Sequence, residues 1–260
     1  MQVMVIRIGP AGSAGLGNLK GVSHCKELGL SAMEIEFTHG VNMSDVLAKQ
    51  VGELAKELDI ALSIHAPYFI NLASEDQEKI DASKKRILDS CERGNYLGAK
   101  YIVFHAAYYG KKTPKQTYSL VKTAILDMQK TINKNNWKVI LAPETTGKTA
   151  QFGTFDELFK LSKETNCQFC IDFAHIYARN GGKIDYPSLF DKMKKIKHIQ
   201  AHFSGINYGS KGEKNHIMTN ESVAKPLMHE VVKRKLDITI IDECPSPYDG
   251  AMILKKLAER

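Results

Sequence analysis

Asn136-Trp-Lys-Val-Ile-Leu-Ala-Pro-Glu-Thr-Thr-Gly147 sets the pattern for the whole chain. A short apolar run, Val139 to Ala142, delivers one acid, Glu144, at its exit, and a turn ending in glycine follows. A continuous apolar run of this length between turn residues reads as a strand buried on both faces, which is the habit of parallel sheets. Five other runs end the same way. His65 leaves SIHAPY, His105 leaves IVFHAA, Asp172 leaves FCIDFAH, His202 leaves IQAHFS and Glu243 leaves ITIIDECPS.

Working outward, β-branched and apolar runs recur at about 3–8, 32–37, 61–66, 99–106, 138–144, 168–174, 196–203 and 238–243. Segments with helical periodicity separate them: Gly17–Leu28, Met43–Leu58, Glu75–Leu97, Pro114–Asn133, Phe155–Thr165, Pro187–Ile196, Glu221–Lys235 and Pro247–Ala258. Ser44-Asp45 and Thr113-Pro114 supply start signals, a hydroxyl cap followed by a residue suited to the first turn. Eight strand–helix repeats without a composition break predict an α/β fold, a closed (β/α)8 TIM barrel forming a single domain over residues 1–260. The glycine-rich GPAGSAGLG at 9–17 lacks the spacing of a dinucleotide or phosphate loop and reads as a mobile first loop.

No apolar run approaches the ~20 residues needed to cross a bilayer, and MQVMVIRIGP has neither a long apolar core nor a small-residue cleavage site. The expectation is a cytoplasmic protein with no membrane partner and no feature marking an obligate protein partner. Five cysteines at irregular spacing fit a reducing compartment, and Cys167 and Cys170, flanking an apolar strand, read as structural. The formal net charge of +7 suits a polyanionic partner, although lysine-rich stretches such as DKMKKIKH usually form solvated faces.

A lone histidine at a strand end is usually a hydrogen-bonded structural residue. Repetition changes that reading, because several carboxylates gathered at one end of a fold need cations to neutralise them. Barrel enzymes gather chemistry at the carboxyl ends of their strands. With His175 three residues after Asp172, and His216 in the loop beyond His202, eight residues of the types that zinc or manganese prefers are predicted to meet there. Strands one and two end without an obvious ligand; His24, His39, His198 and His229 are left out of the set.

The ordered set of His65-Ala-Pro-Tyr68-Phe-Ile-Asn71, Pro143-Glu144-Thr-Thr-Gly147, Asp172-Phe-Ala-His175 and Glu243 resembles the endonuclease IV family of apurinic/apyrimidinic endonucleases, within the xylose-isomerase-like barrels. The resemblance spans essentially the whole chain. It implies up to three Zn2+ ions, with Mn2+ as the alternative. His65, His105 and Glu144 would hold the first; Glu144 would bridge to a second completed by Asp172, His202 and Glu243; His175 and His216 would hold the third. The family's last acid stands two residues before the final histidine, where this chain has Lys214, so Glu213 is the stand-in. The implied activity is hydrolysis of the phosphodiester 5′ to an abasic site in duplex DNA, giving a 3′-hydroxyl in base excision repair. Glu144 and Glu243 would orient the attacking water, Tyr68 would pack against the DNA, and Asn71 would support its loop.

Lys111, Lys112, Lys115, Lys148 and Lys211 lie in loops leaving the same mouth and suit backbone phosphates. Glu144, Asp172, His202 and Glu243 also fit a single-metal sugar or sugar-phosphate isomerase or epimerase, which leaves the other histidines without a ligand role. A non-catalytic binding barrel would not need the carboxylates intact.

Overall fold

The computed structural model describes residues 5–260, so residues 3 and 4 of the first expected strand lie outside the described part. In chain order the elements are β1 (Ile6–Pro10), α1 (Asn18–Glu27), β2 (Ala32–Glu36), α2 (Asp45–Glu57), β3 (Ala61–His65), α3 (Gln77–Leu97), β4 (Tyr101–Phe104), β5 (Ala107–Tyr108), α4 (Pro114–Lys134), β6 (Ile140–Pro143), β7 (Gln151–Phe152) and α5 (Phe155–Thr165). The second half continues with β8 (Cys170–Asp172), α6 (Phe173–Arg179), α7 (Tyr186–Met193), β9 (Ile199–Phe203), β10 (Gly205–Gly209), β11 (Gly212–Ile217), α8 (Glu221–Lys233), β12 (Ile238–Asp242) and α9 (Pro247–Ala258).

Parallel pairing links β2, β3, β4 and β6 in one run and β1, β12, β9 and β8 in another. Two parallel bridges, Ala11 with Glu34 and Glu144 with Cys170, join the runs into a closed ring of eight strands. The fold is a (β/α)8 TIM barrel. Among the described residues, no helix is long and apolar enough to cross a membrane.

Side chains alternate across each strand, so one set faces the helices and the other the barrel interior. The outward set, including Ile35, Ile64, Ile102 and Phe104, packs with the helices in one large core. The inward set is unusually polar. Ser63 donates to Glu34 Oε2 at 2.6 Å and accepts from Gln200 at 3.3 Å, with Tyr101, Val103, Ala142 and Cys170 as an apolar inner cluster.

Local signals place the helices. Ser44 caps α2 by accepting from Leu47 N–H at 3.2 Å, and Thr113 and Thr154 each complete a reciprocal capping box with the residue three positions on. Two departures from the sequence expectation bear on the site. The strand expected over 168–174 stops at Asp172, whose carboxylate accepts the His175 N–H at 2.7 Å and starts α6. The segment after His202 is no loop: β10 and β11 form an antiparallel hairpin.

Candidate metal centre

The exits of β3, β4, β6, β8, β9 and β12 each hand a polar side chain to the same mouth, and Glu144 sits in the middle. Its Oε2 is 2.8 Å from His105 Nε2 and 3.4 Å from His65 Nε2, while its Oε1 is 2.9 Å from His202 Nδ1. Glu243 Oε1 lies 3.2 Å from the same His202 nitrogen. Four sets among the described residues gather possible ligand atoms within 4.8 Å of one another: His65, His105 and Glu144; Glu144, Cys170 and His202; Glu144, Asp172, His202 and Glu243; and Asp172, His175 and His216.

Backbone contacts fix which imidazole nitrogens face inward. His65 Nδ1 contacts the Ala66 carbonyl at 2.9 Å and His175 Nδ1 the Thr145 carbonyl at 2.9 Å, so in each ring Nδ1 is turned to backbone and Nε2 faces the mouth. His216 Nδ1 is held by Ser204 Oγ at 2.7 Å.

That leaves His175 Nε2 and His216 Nε2 facing each other at 3.2 Å. Two acceptor nitrogens at that separation repel unless a cation or a proton lies between them. Asp172 Oδ2 is buried without a hydrogen-bond partner, since the nearby His175 Nδ1 is already engaged with Thr145. Nitrogen and carboxylate donors, an orphaned buried oxygen and opposed lone pairs all fit divalent ions of the zinc or manganese kind.

Charge distribution agrees. Burial pulls His65 down most strongly of any single influence, yet contact with Glu144 and the charges of Glu36, Glu144 and Glu34 carry it up to about 10. Burial likewise opposes ionisation of Glu144, but His202 and His105 hold it well below the usual carboxylate range. Asp172 goes the other way, well above that range, through burial and then the charges of Glu243 and Glu144. The raised values of His65 and His202 show that positive charge is what the buried carboxylates of the mouth favour, the sign that a bound divalent ion would supply.

Glu213 reaches the third cluster through a backbone irregularity. Along the hairpin Ile206 pairs with His216 and Asn207 with Asn215, but Tyr208 pairs with Glu213, so Lys214 is the extra residue of a β-bulge. Without the bulge, residues three apart on a strand would point to opposite faces. With it, Glu213 joins His216, and its Oε2 lies 3.4 Å from His175 Nε2. The approach is tight: a Cβ on Gly147 would sit 2.6 Å from Glu213 Cβ, and one on Gly212 (φ +89°) would sit 2.1 Å from the Gly147 carbonyl oxygen. Arg179 fastens this wall by donating to the carbonyls of Thr146, Lys148 and Gln151 at 3.2, 2.7 and 3.0 Å.

Strand β2, expected to bring nothing, brings two acids. Glu34 is fully buried with Oε1 2.9 Å from His202 Nε2, off the axis of a hydrogen bond, and Glu36 has one oxygen sealed from solvent without a partner. Burial is the main reason that the Glu36 carboxyl rises to about 8. The signal was present in Ala32-Met-Glu-Ile-Glu36, where acids alternate with apolar residues at the period of a strand.

A cavity of about 890 Å3 opens from His65, His105 and Glu213 toward α3, lined also by Tyr68, Phe69 and Tyr108. Tyr68 is 52% and Phe69 76% exposed there. Asn71 supports the loop as expected, its Oδ1 accepting from Ala73 N–H at 3.2 Å and Tyr108 N–H at 3.3 Å. Of the five lysines singled out, Lys148 lines this cavity, joined by Lys79 and Arg86, while Lys112 and Lys115 line another beside α4.

Residues 22–255 match the family described as the xylose isomerase-like TIM barrel. An uncharacterized protein of Methanocaldococcus jannaschii is 40% identical over 251 residues, covering 91% of this chain and 90% of its own. A probable endonuclease 4 of Mycoplasma mobile is 27% identical over 199 residues, covering 70% of this chain and 68% of its own. Among solved structures, endonuclease IV from Thermus thermophilus aligns with a TM-score of 0.72 at 21% identity, covering 98% of this chain and 97% of that one. The 3-keto-D-glucoside 4-epimerase of E. coli aligns with the same TM-score of 0.72 at 15% identity, covering 98% and 100%. At these identities both overlays speak for the fold alone.

Proposed function

Because the chain belongs to the xylose isomerase-like TIM-barrel family, we propose that its mouth is a polynuclear metal centre and that the protein is an apurinic/apyrimidinic endonuclease, hydrolysing the phosphodiester 5′ to an abasic site in duplex DNA. The observation that carries this reading is the third cluster, His175 and His216 with Glu213 bulged onto their face. A single-ion sugar epimerase is served by Glu144, Asp172, His202 and Glu243 and gives those three groups no ligand task.

In this reading His65, His105 and Glu144 hold one zinc, Glu144, Asp172, His202 and Glu243 a second, and His175, His216 and Glu213 a third. Ions of this kind, when bound, supply the charge that acidifies water and screens developing negative charge on phosphoryl oxygens. Glu144 and Glu243 orient the attacking water. Thr145 and Ala66 carbonyls keep the His175 and His65 rings turned with Nε2 inward. Tyr68 packs against the nucleic acid at the cavity rim, and Lys79, Arg86 and Lys148 meet backbone phosphates. An abasic nucleotide, poorly stacked, costs less to turn out of the duplex than a paired base.

A second reading, a sugar or sugar-phosphate epimerase, is favoured by the completeness of the four-residue group around Glu144 and by the acids Glu34 and Glu36 beneath it. One experiment separates them: a labelled duplex with a single abasic site is incubated with the protein, with and without chelator, and the metal content of the same sample is measured. Chelator-sensitive nicking 5′ to the lesion with close to three ions per chain is the expected result. No nicking with about one ion per chain overturns the endonuclease reading and favours the epimerase.

A further inference from the structure

Beneath the mouth, the barrel interior holds an acid that stands at no strand exit. Glu34, in the middle of β2, is fully buried, and so is His202. A carboxyl group in such a place is costly unless its oxygens are answered inside the fold. One of them is. Oε2 accepts from the Ser63 hydroxyl at 2.6 Å, and Ser63 in turn accepts from Gln200 Nε2 at 3.3 Å, so side chains of β2, β3 and β9 fix the group from one side. The other oxygen is left over. Oε1 is sealed from solvent without a hydrogen-bond partner, and it lies 2.9 Å from His202 Nε2, a nitrogen that is likewise buried and without a partner.

His202 belongs to both levels of the barrel. Its Nδ1 faces the mouth, 2.9 Å from Glu144 Oε1 and 3.2 Å from Glu243 Oε1. A neutral imidazole that gives its Nδ1 lone pair to a divalent ion keeps its one N–H at Nε2. That N–H points into a sealed interior, where leaving it unmet carries the full cost of its lost hydration. Glu34 Oε1 is the oxygen beside it. The separation is that of a hydrogen bond while the direction is off axis, so the pair lacks a turn of the ring and not a closer approach.

We propose that Glu34 is a positioning residue of the metal centre: it accepts the Nε2 hydrogen of His202 and so holds Nδ1 toward the ion that His202 shares with Glu144, Asp172 and Glu243. This role rests on the polynuclear centre proposed above. Metal-bound imidazoles generally donate their second nitrogen to a carboxylate or a carbonyl, which turns the ring and strengthens it as a ligand. His65 and His175 have backbone carbonyls for the purpose, each at 2.9 Å. His202 sits inside a strand whose backbone is engaged in parallel pairing with β8 and β12, and a buried side chain takes the carbonyl's place.

The test is the Zn2+ affinity of the full chain, read by competition with a chromophoric chelator, in variants that nearly keep the volume of the interior. In Glu34→Gln the Ser63 hydroxyl claims the amide oxygen, which turns the NH2 group toward Nε2, donor against donor. Zinc affinity should fall about 10–100-fold at one ion, while thermal unfolding of the chelated variant stays cooperative. Adding Ser63→Ala frees the amide to present its oxygen to His202, so the double variant should bind zinc more tightly than Glu34→Gln alone. A merely structural acid gives the opposite order, because the double variant has lost one more interior hydrogen bond. The proposal is overturned by Glu34→Gln binding zinc like the wild type, or by a double variant no tighter than Glu34→Gln. It is also overturned if Cys170→Ser, whose thiol lies within reach of the same ring, loses as much affinity as Glu34→Gln. A wild type that binds no zinc instead overturns the metal centre itself, and this role with it.

Discussion

The two ends of the barrel are built from the same strands and carry opposite chemistry. β4 has Tyr101 at its base and sends the chain on to His105; β6 starts at Ile140 and leads to Glu144, and β9 follows directly on His198 and carries His202 near its exit. At the mouth, acids and imidazoles are buried against each other, so every charge there has a partner or, like Asp172 Oδ2, is left wanting one. At the base, lysines stand in solvent around a cavity of about 720 Å3 that Tyr101, Phe159 and His198 help to line. Buried charge must be answered within the fold, whereas exposed charge is free to be answered from outside. The mouth is therefore expected to be rigid and metal-dependent, and the base tolerant of substitution.

The largest effect that separates the two ends is expected from Glu144→Gln. It removes the charge shared by two clusters at nearly constant volume, and nicking should fall by on the order of 10^3 or more while thermal unfolding of the chelated protein stays cooperative. Retained full activity would break the assignment of the mouth. Gly147→Ala is the sharper probe of the third cluster alone. Its Cβ would meet Glu213 at 2.6 Å and push the carboxylate off the face it shares with His216, lowering bound metal by close to one ion per chain and activity by about 10–100-fold. Metal content unchanged from wild type would remove Glu213 from the third cluster.

A smaller effect is expected from pH. The Glu36 carboxyl is raised in the folded state from 4.5 to about 8, mainly by burial. A raised value means that the folded state binds the proton more tightly, so this contribution to stability is fully present below 4.5 and is lost as pH rises through about 8. The melting temperature of the metal-free protein should fall across that window, and Glu36→Gln should flatten the slope; an unchanged slope would mean that other groups set it. Smallest of all, the triple substitution Lys163→Gln, Lys194→Gln, Lys195→Gln at the base should leave nicking within about twofold, since exposed charges this far from the mouth are screened. A larger change in turnover would show that the two ends are coupled.

Much of this arrangement was legible in the chain. The eight alternations gave the closed barrel, and the strand-exit residues from His65 to Glu243 converge as expected, because a parallel barrel sends every strand exit to one rim. What escaped did so for local reasons. Glu34 and Glu36 sit inside an apolar run rather than at its exit, and only the alternation of the pleat reveals that they face inward. The start of α6 hides in Asp172-Phe-Ala-His175, whose apolar residues look like more strand until Asp172 is recognised as a cap. The lysines of the base follow a helix in sequence and give no sign of the hollow that they surround.

The extra residue at Lys214 has a consequence for how such chains are compared. A carboxylate and a histidine separated by an altered gap in the string of letters can still share one face of a ribbon, because a single inserted position is absorbed by a kink. Any search that spells a motif as a fixed number of intervening letters passes over that equivalence. Counting in space, from the strand opposite, recovers it.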